Sequence, residues 1–317
     1  MKIALRDLQK EVKDIDFFIC SAGFEERSTV VAKHLNLSDI RHKAVFHINN
    51  SYQLSEENLK AIQALGGFKT INYSKNEPIL TYDAIYDFLE SIEHNKIVNV
   101  LLDVTTFTRE VLLIMLKIFE SEKMKSKYSV SFIYTPASEY EHSEDFSERW
   151  LTKGVREIRS IFGYSGLHTP SKKLMLIVLA GLEDERTEII IESFEPNALL
   201  IGRPSLSSSN HPKLDEKAGY TIKRFKAKFP SFLNEFQFSC NSIRDTQCAI
   251  EVLCNNYGKE YNICIAPLNN KVSTLGVAKA CINNENIQVC YASANQYNIN
   301  GYSKPSDYII YFPTEIQ

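Results

Sequence analysis

The sequence predicts an α/β protein built as two similar halves, each a mainly parallel sheet with helices on both faces. Three observations predict that class. Short apolar runs alternate strictly with segments of helical period through residues 1–136, the pattern of parallel strands joined by right-handed crossovers. Those runs are almost continuously apolar, as strands are when both faces of their sheet are covered. The stretch AGFEERS at 22–28 nearly recurs as AGLEDERT at 180–187, each time where an apolar strand turns into a helix. Together these observations point to two tandem Rossmann-like units related by internal duplication.

In the first half, strands are read at 16–20, 43–48, 68–73, 97–104 and 128–135, with helical segments at 26–35, 55–65, 82–93 and 109–122. Residues 137–171 are more polar and end in Gly/Pro/Ser punctuation, which predicts a connector carrying one helix. The pattern then restarts with a strand at 173–181, a helix at 184–194 and a strand at 198–202. After a Ser/Pro/Asn loop come helices near 213–227 and 241–256, a strand at 261–268, a helix at 272–283, and strands at 287–294 and 307–313. The expected division is therefore 1–136, a connector at 137–171, and 172–317. The Tyr- and Asn-rich stretch at 290–308 is read as a surface loop whose rings complete packing.

Size and composition narrow the function. A chain of 317 residues, 44% apolar and 24% charged, supports two ordinary domains with cores of their own. A net charge of −3 with no long basic run argues against binding an extended nucleic-acid duplex. Seven cysteines are an odd count with no CxxC pair, and several lie in apolar runs, so reduced thiols and a cytoplasmic location are expected. The charged N-terminus lacks a signal-peptide core, and the most apolar runs are about half the length that spans a bilayer, so no membrane segment is expected. The histidines are scattered, which leaves no metal site in view. No GxGxxG, Walker A, GxSxG or HExxH string occurs, so no cofactor is expected and dinucleotide, P-loop, serine-hydrolase and zinc-protease chemistries lose their usual support.

In an open parallel sheet a ligand sits at the carboxyl ends of the strands, where strand order reverses. The loops after the first and fourth strands flank that crevice. Here they carry Ser21, Gly23, Phe24, Glu25, Glu26 and Arg27 on one side, and Asp103, Thr105, Thr106, Thr108 and Arg109 on the other. Gly23 lets a ligand approach the main chain, the threonines offer hydroxyls, and Arg109 offers a fork suited to phosphate. Glu25 and Glu26 either complement the helix dipole or face ribose hydroxyls. The plainer reading of the second loop is a helix cap at Thr105 or Thr106, with Glu110 completing a capping box. Asp103 ends a buried strand and needs a partner, for which Arg109 and Arg27 are the obvious choices. A degenerate counterpart in the second half comprises Gly181, Glu183, Glu185, Arg186, Asn270, Lys271 and Ser273. The alternative for 269–274 is a solvated turn with an N-cap.

The run DVTTFTRE resembles, in position and broad character, the hydroxyl-rich run that opens the helix after the fourth strand of the CRISPR-associated Rossmann fold (CARF) sensors. Thr105, Thr108 and Arg109 stand in the corresponding places. PLNNKVSTLG is similar in the second half, with Lys271 as the cation, and the doubled plan resembles the SAVED domains, which look like two such units in one chain. Thr106 and Phe107 stand where the family's run has two glycines, and Arg109 where it has lysine. The resemblance implies a paired Rossmann architecture and a nucleotide-type ligand, such as a cyclic or linear oligonucleotide second messenger. It further implies a role in prokaryotic antiviral defence and a separately encoded effector protein, and it leaves a homodimer open. Two other readings keep the fold. In one, similar to nucleoside deoxyribosyltransferases and TIR-like enzymes, Glu25 or Glu26 attacks or stabilises the anomeric carbon of a nucleoside or NAD. In the other, the chain is a scaffold subunit of a defence complex.

Overall fold

The computed structural model describes residues 1–48, 52–74, 76–140, 150–181, 184–208, 212–299 and 303–314, without the side chains of 212–218. Strand β1 (Lys2–Ala4) and the short α1 (Leu8–Glu11) lead into β2 (Phe17–Ser21), α2 (Val30–His34), β3 (His42–Ile48), α3 (Gln53–Gln63), β4 (Phe68–Tyr73) and α4 (Pro78–Glu90). Next come β5 (Val98–Asp103), α5 (Arg109–Phe119), α6 (Glu122–Lys125), β6 (Tyr128–Tyr134) and β7 (Ala137–Glu139). After β8 (Thr152–Ser165) the chain runs through β9 (Lys173–Leu179), α7 (Asp184–Phe194), β10 (Ala198–Pro204), α8 (Pro212–Lys228) and β11 (Phe232–Phe238). It ends with α9 (Ile243–Tyr257), β12 (Tyr261–Pro267), α10 (Lys271–Cys281), β13 (Ile287–Tyr297), β14 (Lys304–Pro305) and β15 (Tyr308–Phe312).

Met1–Arg149 and Ile299–Gln317 make one unit, and Trp150–Asn298 the other. The first unit's sheet has the order β1-β15-β6-β5-β2-β3-β4. Its five strands β6, β5, β2, β3 and β4 are parallel, and β15 runs antiparallel to both β6 and β1. Every residue of β2 is buried, with Phe17, Phe18 and Ile19 fully enclosed. Burying each such side chain contributes about 2–3 kcal/mol, which is why so short a strand holds the sheet's centre. Helix α5 covers one face with Val111, Leu112, Leu113, Ile114, Met115 and Leu116, all buried.

The second unit's sheet has the order β11-β10-β9-β12-β13-β8, in which β8 alone is antiparallel to its neighbour. Counting only parallel strands in chain order, both units read third-second-first-fourth-fifth. In both, the order reverses between the first and fourth strands, β2/β5 and β9/β12. Among the described residues no helix is long and apolar enough to cross a membrane.

Several elements depart from the sequence reading. Residues 141–149 lie outside those described, and the described part of 137–171 carries no helix but β7 and the fourteen-residue β8. Its charged positions Arg156 and Glu157 fall on a strand paired along one edge only, so they reach water without breaking the ladder. Strand β11 was not expected at all; it is an edge strand whose Leu233, Asn234 and Glu235 are exposed, which removes the apolar-run signal. Strand β13 extends to Tyr297, through part of the stretch read as a loop. The terminal strand β15, expected at the end of the second half, lies in the first unit's sheet.

Candidate functional site

In the first unit the two strand exits converge. Ala22 N donates to Phe46 O at 2.8 Å, which carries the first-strand exit on from β2 beside β3. Across the order reversal, Thr106 Oγ1 donates to Ser21 O at 2.8 Å. A Cβ on Gly23 would stand 3.0 Å from the Thr106 Cβ, so the two exits approach closely here. Asn58 of α3 then fastens the loop from the other side, its Nδ2 donating to Gly23 O at 2.8 Å and to Glu25 O at 3.0 Å.

Two charged side chains of this loop, Arg27 and Glu25, turn inward. Arg27 is 4% exposed; its Nε donates to Glu25 Oε2 at 2.9 Å and its Nη1 to the main-chain oxygen of Thr135 at 3.0 Å. Burial works against the Arg27 cation, and Glu25 together with Tyr134 and Tyr140 more than offsets this, so the proton is held more tightly than in an ordinary arginine. Glu25 Oε2 also accepts from Ser303 Oγ, on the segment that precedes β14. Glu26 is exposed.

The fourth-strand exit has its own buried centre. Asp103 Oδ1 accepts from Thr105 N at 3.0 Å and from Thr105 Oγ1 at 2.5 Å. Its partner is therefore this threonine, not Arg27 or Arg109, although the Arg27 charge still acts on it. Burial pushes the Asp103 carboxyl up to about 7, against the opposing pull of the Thr105 hydrogen bonds and Arg27. Thr105 Oγ1 in turn accepts from Thr135 N at 3.0 Å. Asp103, Thr105, Thr135, Arg27, Glu25 and Ser303 thus form one connected network across the carboxyl ends of β2, β5 and β6.

The cap of α5 is Thr108, whose Oγ1 accepts from Val111 N at 3.3 Å. Thr105 and Thr106 were the expected caps; both are committed instead to the network and to Ser21. Glu110 consequently falls one place short of the capping-box position and is buried. Arg109, half-exposed, opens α5. It acts on the Tyr140 phenol, as do Arg27, Glu25 and Tyr134; burial first and Tyr134 second raise the pKa of that phenol above its ordinary value, while both arginines oppose them.

The second unit repeats the plan with different atoms. Ala180 N donates to Gly202 O at 3.1 Å, as Ala22 does to Phe46 O. Asn269 Nδ2 donates to Ala180 O at 2.7 Å, tying fourth exit to first. Here the main chains themselves meet: a Cβ on Gly181 would lie 2.3 Å from Leu268 O. Asn270 caps α10 by accepting from Ser273 N at 2.9 Å, and its Nδ2 reaches Cys240 O at 2.7 Å. Ser273 and Thr274 are fully buried and Asn269 and Asn270 half-buried, so the turn is capped as expected and only partly solvated. Lys271 opens α10, half-exposed, as Arg109 opens α5. Arg186 is 4% exposed, like Arg27, and its Nη2 donates to Thr152 Oγ1 at 2.7 Å. Glu185 Oε2 accepts from Gly154 N at 3.3 Å, and Glu183 lies outside the described residues. Among the described residues no three His, Cys, Asp or Glu side chains cluster so as to hold a metal ion.

Sequence reasoning missed Asn58, Thr135, Tyr140 and Ser303. Asn58 and Ser303 stand 35 and 278 residues from their partners in the chain, and no local pattern marks such pairings.

No protein-family model matches the sequence, and no curated protein matches it. Among solved structures, a type III CRISPR defence DNA nuclease activated by cyclic oligoadenylate is similar with a TM-score of 0.54 at 6% identity, over 91% of this chain and 67% of that one. At that identity the likeness is one of fold. AtPrR2 with NADP+ and (+)pinoresinol aligns with a TM-score of 0.28 at 9% identity, over 87% of this chain and 93% of that one, and supports no argument.

Proposed function

We propose that the first unit binds a nucleotide-type ligand at its first- and fourth-strand exits, and that the protein is a sensor of a cyclic or linear oligonucleotide second messenger in prokaryotic antiviral defence, acting on a separately encoded effector. The observation that carries this reading is the Thr106–Ser21 hydrogen bond. It joins the two exits at the reversal of strand order, the place where open parallel sheets take ligands. Arg109 stands beside that junction, in the first turn of an eleven-residue helix, where an arginine fork and the helix dipole both favour phosphate. The likeness of fold to a nuclease activated by cyclic oligoadenylate supports the same class of ligand.

Shared strand order, matching Ala22 and Ala180 hydrogen bonds and matching buried arginines support descent of both units from one duplicated ancestor. On this reading the second unit is the degenerate copy, its crevice filled by the Gly181–Leu268 main-chain contact and by Asn269. The glycosidase reading loses support at Glu25, whose carboxylate is already held by Arg27 and Ser303. Melting the protein with a panel of cyclic oligoadenylates tests the proposal. The expected result is a stabilising shift that survives Glu26→Gln and is lost in Arg109→Ala; no shift across the panel overturns it.

A further inference from the structure

The chain passes between the two units twice, after residue 149 and after residue 298. In the first unit the segments that lead to both passages are held by the acid and arginine of the first-strand exit. Thr135 begins the outgoing segment. Its N–H donates to Thr105 Oγ1 of the fourth exit at 3.0 Å, and its main-chain oxygen accepts from Arg27 Nη1 of the first at 3.0 Å. The returning segment is caught by the same ion pair, since Ser303 Oγ donates to Glu25 Oε2 at 2.5 Å. The two segments also hold each other: β7 and β14 run antiparallel, with Glu139 opposite Lys304 and Ala137 opposite Pro305, and Ser306 N donates to Pro136 O at 3.1 Å.

The second unit does the same with its own copy of the motif. Arg186 Nη2 donates to Thr152 Oγ1 at 2.7 Å, and Glu185 Oε2 accepts from Gly154 N at 3.3 Å, both at the start of β8, the first strand after the outgoing passage. Asn298, the last residue before the return, donates from N to Leu151 O at 2.9 Å and from Nδ2 to Trp150 O at 3.1 Å. In each unit, therefore, the outgoing and returning segments are bonded to each other, and a buried arginine from the AGFEERS or AGLEDERT stretch grips the outgoing one.

Fold stability does not account for this arrangement. A buried ion pair is often no more stabilising than well-packed apolar side chains of the same volume, yet both halves place a buried arginine here and aim it at a passage segment. What the arrangement supplies is a physical path. A first-exit loop that shifts carries Glu25 and Arg27 with it, and they are bonded to the Ser303 hydroxyl and the Thr135 main chain. Packed, hydrogen-bonded elements move between discrete arrangements and so relay such a shift instead of absorbing it. We propose that the repeated glutamate–arginine motif clamps the two chain passages, and that in the first unit Glu25 and Arg27 pass the occupancy of the strand exits on to β7 and β14. This rests on the nucleotide-binding reading and adds to it the route by which a bound ligand is felt outside the crevice.

The test is hydrogen exchange of the full-length protein, read by mass spectrometry with and without a saturating cyclic oligoadenylate, while calorimetry follows binding separately. Without the probe, Ser303→Ala should speed exchange over 303–308, and Thr152→Val over 150–154, by about fivefold each, the effect of one lost hydrogen bond. In the unmodified protein, saturation should change exchange over both 135–140 and 303–308 by about fivefold or more. In Ser303→Ala, saturated likewise, the change over 303–308 should be diminished and that over 135–140 kept; protection by direct contact with the probe would not depend on that hydroxyl. Unaltered probe-free rates in both variants overturn the clamp. Calorimetric binding that leaves both segments unchanged, or a change over 303–308 that Ser303→Ala shows at full size, overturns the coupling and leaves the nucleotide reading standing. No binding of any cyclic oligoadenylate to the unmodified protein overturns the nucleotide reading and the coupling with it.

Discussion

Thr106 Oγ1 donates to Ser21 O at 2.8 Å, and the Cβ of the same threonine lies 3.0 Å from where a side chain on Gly23 would begin. One residue thus fastens the two strand exits and leaves little room between them. Gly23→Ala is expected to destabilise the protein by about 1 kcal/mol. The cost falls when Thr106→Gly has removed the opposing Cβ, and a double-mutant cycle read by urea denaturation should give a coupling of about 0.5 kcal/mol or more.

The same substitution in the second unit meets main chain instead. Gly181→Ala would set a Cβ 2.3 Å from Leu268 O and 3.1 Å from Leu268 C. A carbonyl bonded into its neighbours cannot swing aside as a side chain can, so the cost should reach about 3 kcal/mol or more. Urea midpoints of the two alanine variants, compared directly, should show Gly181→Ala as the less stable.

Arg27 and Glu25 have side-chain exposures of 5% and 9%. Removing the guanidinium strands a buried carboxylate, and Arg27→Ala is expected to cost about 3–5 kcal/mol. Adding Glu25→Gln removes the stranded charge, so the double variant should be more stable than the sum of the single effects. Denaturant unfolding of the three variants measures this.

Asp103 makes stability depend on pH. Its folded pKa, about 7, lies above the ordinary carboxyl value of 3.8, so between those two values the folded state binds more protons than the unfolded state. Stability from this group is complete below the lower value and is lost as pH rises through the upper one. Asp103→Asn, which does not titrate, should therefore gain on the parent protein as pH climbs from about 4 to about 7, by at most about 1.4 kcal/mol per pH unit, with no further gain above that. Chemical denaturation at a series of pH values checks both slope and plateau.

The central parallel strands were legible because burial on both faces writes an apolar run into the sequence, as in Phe17–Ser21 and Lys173–Leu179. The edge strands β8 and β11 carry no such mark. Asn234 and Glu235 of β11 face water, and Arg156 and Glu157 of β8 belong to a strand with a single partner. Of the candidate site, the two loops could be placed at the sheet's carboxyl end from strand counting alone. What their side chains hold could not. Thr105 could as well have capped a helix as bonded Asp103, and the choice depends on Thr135, which arrives on another strand.

The seating of β15 between β1 and β6 has a consequence for the order of events at the ribosome. The inserted unit, Trp150–Asn298, is continuous in the chain and can close its sheet while synthesis is still under way. The surrounding unit cannot, because β15, which pairs with β1, is made only after the whole inserted unit. Until then the outer edge of β6 stands open, and a chaperone or a like edge of another nascent chain is the natural thing to meet it.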